Sequence, residues 1–191
     1  MVIPVDRGAC WSELDASGKR ARLLRAASEV FARSGLQAPM PEIAAAAGAG
    51  VGSVYRQFPS KRSLLAALVI ERLEESRQDA EAAIVGPAGP WASLVALLGD
   101  HVERQAGDDV FAEAIACLSS DPDVERAYAS TTAAWERLLE AGRAEGRLRP
   151  DASTDDLRLL FAAARAAGGL EPGAWRRMLE LGIDALDTQA R

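Results

Sequence analysis

The sequence has few of the residues from which disulfide frameworks, β-sheets and metal sites are built. Its 191 residues include two cysteines, Cys10 and Cys117, which are far apart and show no partner spacing. They therefore indicate neither a disulfide framework nor a zinc site. Aromatic residues make up 5 %, and strand-like runs of valine, isoleucine, threonine and tyrosine are almost absent. With abundant alanine, this composition favours an all-α fold.

Long apolar segments are missing as well. No stretch approaches the roughly 20 residues of a membrane span, and the apolar run after Met1 is too short for a signal peptide. We therefore expect a cytoplasmic protein without membrane contact. One histidine, scattered carboxylates and no spacing of nucleophile and base predict no enzyme activity, no cofactor and no metal site. The paired acids Asp108–Asp109 and Asp155–Asp156 come at predicted helix starts, where capping explains them.

Charge is distributed unevenly along the chain. Residues 16–62 contain eight basic and two acidic residues, a net charge of +6, whereas the whole chain carries −6, which leaves −12 for the remainder. A basic patch on an acidic body can confine contact with nucleic acid to one face. The alternative is a chance cluster of solvated charges.

Apolar residues at helical spacing predict about nine helices, of which the first four are the clearest. A flexible tail over 1–15 precedes a helix from Ala16 to Ser34, which Gly35 ends. Two short helices follow, Pro41 to Ala47 and Gly52 to Gln57. A long helix then runs from Lys61 to about Ile84, with Ser60 as a good N-cap.

The two short helices, joined by a turn that contains glycine, predict a helix-turn-helix over about 39–58. Gly48 supplies the sharp turn. Gly50 and Gly52 keep the start of the second helix slim, so that it can enter a major groove about 12 Å wide. A small apolar set is expected to form the internal contacts: Leu23, Phe31, Ile43, Ala44, Ala47, Val54 and Phe58.

The segment Arg20 to Leu68, about 50 of the 191 residues, resembles the DNA-binding domain of the tetracycline-repressor (TetR) family. The matching string is Val30-Phe31, Gly35, Ile43-Ala44, Ala47-Gly48, Gly52-Ser53-Val54-Tyr55, Phe58, Lys61 and Leu64-Leu65. The resemblance implies an N-terminal three-helix DNA-binding domain, here 16–76. It also implies a C-terminal helical domain, here 77–191, which binds a small-molecule effector and forms a homodimer.

The resemblance also implies roles for individual residues. Ser53, Arg56 and Gln57 of the recognition helix would face base edges or nearby phosphates, because arginine pairs well with guanine and glutamine with adenine. Tyr55 is placed like a tyrosine of the family whose hydroxyl reaches a phosphate. The DNA-contacting set so implied is Gly52, Ser53, Tyr55, Arg56, Gln57, Lys61, Lys19 and Arg20.

Lys61 has a physical argument of its own. A cation at a helix start opposes the helix dipole, and a DNA phosphate there would reverse the sign of that interaction. The alternative is an exposed lysine whose charge water screens. One departure from the family is visible at Ala38 to Pro41, because many members have a hydroxyl residue there that can bind a phosphate.

The resemblance after residue 86 is weaker and rests on helix order and apolar stripes. The last two long helices, about 154–168 and 172–187, would form the homodimer interface, with Gly182 allowing helices to approach closely. Monomer core is the alternative for their apolar residues. His101 and Arg165 are expected to face inward. The candidate effector-binding residues are His101, Phe111, Cys117, Trp135, Phe161 and Arg165, with core packing as the alternative.

The sequence thus predicts a ligand-responsive repressor that binds double-stranded DNA at a palindromic operator as a dimer. A transcriptional activator of the same fold is one alternative. Alternatives of another class are a helical small-molecule-binding module that does not bind DNA, and an enzyme. The presence of Tyr55, Arg56 and Lys61 argues against the module.

Overall fold

A computed structural model of the chain describes residues 10–105 and 109–189. These residues form nine α-helices and one short 3-10 helix, Trp11–Glu13, and the one isolated bridge among them joins Leu148 to Asp187. The all-α prediction is therefore confirmed. None of the described helices is both long and apolar enough to cross a bilayer. The helices are α1 (Ala16–Ser34), α2 (Met40–Ala47), α3 (Val51–Gln57), α4 (Lys61–Ile84), α5 (Pro90–Gln105), α6 (Asp109–Cys117), α7 (Pro122–Ala144), α8 (Thr154–Leu170) and α9 (Ala174–Leu186).

The chain divides into two compact units. The first contains the residues up to Glu71 together with Val110–Val124, and the second contains Arg72–Asp109 and the residues from Glu125 onward. The division within α4 lies just over one turn before the predicted boundary at 76. The segment Val110–Val124 was assigned by sequence to the second domain, but its contacts place it in the first unit.

Local signals set the helix ends of the first unit. The Asp15 carboxylate accepts a hydrogen bond of 2.7 Å from the N–H of Gly18 and begins α1. Gly48 ends α2 with φ 65° and ψ 30°, a left-handed conformation that glycine adopts without a Cβ penalty. At the start of α4, the Ser60 hydroxyl accepts from the N–H of Ser63 at 3.0 Å, as expected of an N-cap.

The core of the first unit contains the apolar set that the sequence predicts. All seven residues are at most 2 % exposed: Leu23, Phe31, Ile43, Ala44, Ala47, Val54 and Phe58. Within this unit α1 contacts α2, and α2 contacts α3. The helix-turn-helix is therefore held by its own buried side chains. Burial of each of the larger ones stabilises the fold by about 1.5–3 kcal/mol.

The second unit surrounds a core that combines α5, α7, α8 and α9 with the second half of α4. Two of its helix ends differ from expectation. Gly168 and Gly169 lie inside α8, which continues to Leu170, and α9 begins at Ala174 rather than at Pro172. Glycine weakens a helix but does not end it while its φ stays helical. The chain instead reverses at Gly173, whose φ is 85°.

Where the structure describes them, the paired acids predicted to cap helices lie at helix starts. The Asp156 carboxylate accepts from the N–H of Ser153 at 2.8 Å, which makes a capping box. Asp155 forms an ion pair with Arg158 at 3.0 Å. Asp108 lies outside the described residues, and Asp109 is the first residue of α6.

A chain of ion pairs joins α4 to α7 within the second unit. Arg77 binds Glu74 and also Glu81, the latter with 2.6 Å between Nη1 and Oε2. Arg137 of α7 binds the other Glu81 oxygen at 2.8 Å. The hydrogen bonds from Arg77 are the main cause that lowers the pKa of Glu74 to about 2.

Acid is expected to remove the contribution of Glu74 to stability. Because its folded pKa lies below the ordinary 4.5, the stabilisation is present above that pH and is lost as the pH falls toward 2. Glu74 is 46 % exposed, so the effect is at most about 1 kcal/mol. Thermal melts should show Glu74→Gln less stable than wild type at pH 7 and equal to it near pH 2. Glu75→Gln, at an exposed position on the same helix, is the control, and a parallel loss there would contradict the assignment.

Candidate nucleic-acid interface

The surface of α3 carries small and polar side chains over a buried anchor. Val54 is fully buried and Phe58, just after the helix, is 2 % exposed. Gly52, Tyr55 and Arg56 are exposed on the outer side. A Cβ added at Gly52 would meet nothing within 4 Å, so the start of the helix is slim, as expected.

Polar groups on α3 lie close together. The Nη2 of Arg56 donates to the Ser53 hydroxyl at 3.1 Å, which holds the guanidinium along the helix. Ser53 and Gln57 are half-buried, and Tyr55 is 47 % exposed. All the predicted recognition side chains therefore reach the surface.

Two basic side chains lie on buried aromatic rings of the first unit. The guanidinium carbon of Arg20 is 4.9 Å from the centroid of the Phe58 ring. The Nζ of Lys61 is 5.9 Å from the centroid of Phe31. A cation over an aromatic face gains roughly 0.5–1 kcal/mol when exposed, which limits the directions these side chains sample. Lys19, next to Arg20 on α1, is half-buried.

The start of α2 has no side-chain cap. Met40 is the first residue of the helix and is 4 % exposed, and the preceding Pro39 makes no side-chain cap. Glu42 in the first turn binds Arg33 of α1 at 3.1 Å. The Ser34 hydroxyl of α1 donates to the same Glu42 oxygen at 3.1 Å.

The six candidate effector residues fall into both units. Three of them meet in the second unit: the His101 ring lies 4.5 Å from Phe161 and 5.8 Å from Trp135 between centroids. Trp135 and Phe161 are 6.1 Å apart, edge to face. The indole N–H of Trp135 donates to the Ser76 hydroxyl at 3.0 Å. Helices α5, α7 and α8 thus bring together rings that are distant in sequence.

The other three candidates lie elsewhere. Phe111 and Cys117 belong to the first unit, where Cys117 is exposed and its carbonyl accepts from Arg62 at 3.2 Å. The expectation that Arg165 faces inward is wrong, because the residue is exposed. Four residues advance a helix by about 40° beyond one turn, which carries position 165 off the stripe of Leu157 and Phe161.

Two family models together match most of the chain. The model described as bacterial regulatory proteins of the tetR family matches residues 23–68. The model described as the C-terminal domain of SbtR-like transcriptional regulators matches residues 89–188, which is more than half of the chain. The chain belongs to the TetR family. It is therefore a DNA-binding transcriptional regulator, and α2 and α3 lie within the residues matched by the first model.

Solved structures of TetR-family regulators resemble the chain over nearly its whole length. A TetR transcription regulatory protein from Mycobacterium vanbaalenii is 29 % identical, with 88 % of this chain and 95 % of that one covered and a TM-score of 0.66. A structure that explains control of antibiotic production by bacterial hormones is 28 % identical, with 91 % and 100 % covered and a TM-score of 0.69. A TetR regulator from Streptomyces coelicolor, 24 % identical over 90 % and 99 % with a TM-score of 0.67, shares the fold. No curated protein matches the sequence significantly.

Two residues of the first unit of this TetR-family chain, Val51 and Arg62, were not among the predicted site residues. Val51, the first residue of α3, is 41 % exposed. Arg62 ties the start of α4 to the end of α6 through the Cys117 carbonyl. The position of Val51 between two glycines is a signal visible in sequence, whereas the partner of Arg62 is 55 residues away and has no such signal.

Proposed function

We propose that this TetR-family regulator is a ligand-responsive repressor that binds a palindromic operator as a homodimer. The observation that carries the proposal is the surface of α3. This helix exposes small and polar groups, and basic side chains from α1 and α4 lie on the buried rings of Phe58 and Phe31 in the same unit. Phosphate contacts would set the position of the helix, and its outer side chains would read the bases.

The two kinds of contact come from different residues. Arg56 lies at the centre of the exposed side, where a guanidinium can bind guanine O6 and N7, and Ser53 orients it. In this proposal the Tyr55 hydroxyl contacts one phosphate and the Lys61 ammonium contacts another. A phosphate at Lys61 would neutralise the cation and accept from the N–H groups at the start of α4, which removes the unfavourable interaction with the helix dipole.

Exposed leucines support the homodimer. Leu159 and Leu170 of α8 are 70 % and 89 % exposed, and Leu181 of α9 is 46 % exposed. Leu159 and Leu170 are 11 residues, or about three turns, apart, so they lie on one side of α8. A two-fold axis through this surface would cover the leucines and present two copies of α3. Two such helices one DNA turn apart, about 34–36 Å, read a palindrome.

The cluster of His101, Trp135 and Phe161 is the proposed effector contact. Its aromatic rings favour a flat or apolar small molecule, and the imidazole adds a polar group that can orient it. The related structure at 28 % identity concerns control by bacterial hormones, which is in keeping with small-molecule control here. The effector would release DNA only through unequal affinity for the bound and free conformations.

Binding to random duplexes across a salt series tests the proposed function. Arg20 and Lys61 of each subunit would neutralise two phosphates, which makes four for the dimer. The affinity should then fall about 100-fold or more between 50 and 200 mM salt. Lys61→Ala should weaken all sequences alike and reduce the slope of log K against log salt by about 2 for the dimer. Arg56→Ala and Gln57→Ala should instead change which sequence is preferred.

Arg149→Ala is the matched control, because it removes an exposed positive charge in the second unit that is paired with Asp151. Its salt slope should equal that of wild type. Absent or salt-insensitive binding would exclude the proposed function. A relaxed base preference in Lys61→Ala, with none in the other two variants, would show that the roles are assigned to the wrong residues.

A further inference from the structure

Val51 is an exposed apolar side chain on a helix that otherwise exposes small and polar ones. It is 41 % exposed and is the first residue of α3. Gly50 and Gly52 flank it, and a Cβ added at either would meet nothing within 4 Å. The valine side chain is therefore the only one that projects from residues 50–52.

The fold itself has little need of a valine at this position. Val54 and Phe58 are the side chains that α3 buries. The start of the helix is set by Gly50, whose carbonyl accepts from the N–H groups of Ser53 and Val54 at 2.8 and 3.3 Å. A β-branched residue is also a weaker helix former than alanine. The side chain is partly covered, and its exposed part belongs to the outer surface of α3.

The surroundings of Val51 belong to the proposed DNA-binding surface. Tyr55 lies one turn further along the same side of α3 and is 47 % exposed. Gly52 and Arg56 form the adjacent exposed side. When α3 lies in a major groove, the valine methyl groups therefore face the base edges together with the polar side chains.

The geometry points to Val51 as a reader of thymine, through contact of its methyl groups with the C5-methyl group of one thymine in each half-site. This inference rests on the proposed function. Among the four DNA bases, thymine alone presents a methyl group in the major groove, and an apolar side chain is the group that recognises it. Arg56, Gln57 and Ser53 read hydrogen-bonding groups and are insensitive to this methyl group. Val51 thus adds a specificity that the polar residues do not supply.

The test uses the full-length protein and an operator selected from random duplexes. Each thymine of the selected site is replaced by deoxyuridine, which removes only the C5-methyl group. Fluorescence anisotropy then gives Kd for wild type and Val51→Ala. One symmetric pair of replacements should weaken wild type by about 15-fold, or about fourfold for each methyl group. The same pair should change the Kd of Val51→Ala less than twofold.

Val85→Ala is the matched control, because Val85 is 83 % exposed and lies in the second unit. It should keep the full response to deoxyuridine. Circular dichroism confirms that both variants are folded. An operator without thymine in its half-sites, or a deoxyuridine response that Val51→Ala retains, would overturn the inference and leave the proposed function intact. Failure of wild type to bind any duplex would overturn both.

Discussion

Replacing Leu159 with lysine is expected to convert the proposed homodimer into monomers and to weaken operator binding by about 100-fold or more. The leucine is 70 % exposed on α8, and a two-fold interface would bury it and its copy together, so the variant buries two lysine charges in an apolar contact. A monomer carries one α3 only and loses the gain of linked binding, which is about 10²–10⁴-fold. Sedimentation equilibrium gives the oligomeric state, and fluorescence anisotropy with a palindromic operator gives the affinity.

Val85→Lys is the control for the Leu159 variant, because it places the same charge at another exposed apolar position of the second unit. It should remain dimeric. Leu159→Lys should change the melting temperature of the single subunit little, because the leucine side chain lies on the surface of that subunit. A Leu159→Lys protein that stays dimeric and binds the operator normally would locate the interface elsewhere.

Gly182→Ala is expected to destabilise the protein by about 1–3 kcal/mol, although alanine is the better helix former. A Cβ at position 182 of α9 would overlap the Leu160 side chain of α8, reaching its Cδ1 and also its Cγ at 3.1 Å. Leu160 is 6 % exposed, so either its packed side chain must shift or α8 and α9 must separate. The close approach predicted for Gly182 therefore occurs within one chain.

Gly99→Ala makes the same substitution where space is open. Gly99 lies within α5, and an added Cβ there meets nothing within 4 Å, so this variant should be more stable by up to about 1 kcal/mol. Urea unfolding at one fixed protein concentration measures both variants, because the stability of the proposed dimer depends on concentration. Equal effects of the two substitutions would show that α8 and α9 can accommodate the methyl group.

The helix-turn-helix was predictable because its determinants are local. The ends of α1 agree with the prediction because Asp15 and Gly35 act on residues within one turn of themselves. Gly48 imposes the turn through its own left-handed backbone. The short helix α3 was predictable for the same reason, since its exposed residues are separated by single turns of one helix.

The second unit was less predictable because its determinants are distant in sequence. Gly168 and Gly169 look like a helix end, but packing of α8 against α9 keeps them helical. The inward orientation of Arg165 was predicted from its spacing to Leu157 and Phe161. Each step of four residues turns a helical position by about 40° beyond one full turn, and this rotation takes Arg165 off the buried face. The rings of His101, Trp135 and Phe161 meet only because α5, α7 and α8 converge.

The sequence alone thus determined the all-α class, the family resemblance and the exposed residues of α3, because each depends on composition or on spacing within a few turns. Only the tertiary structure decided which effector candidates lie together. It also showed that Gly182 packs against Leu160 of the same chain and that Val110–Val124 belongs to the first unit. Those outcomes depend on which helices pack against each other. Such packing is set by the summed burial of many side chains, and no short motif encodes it.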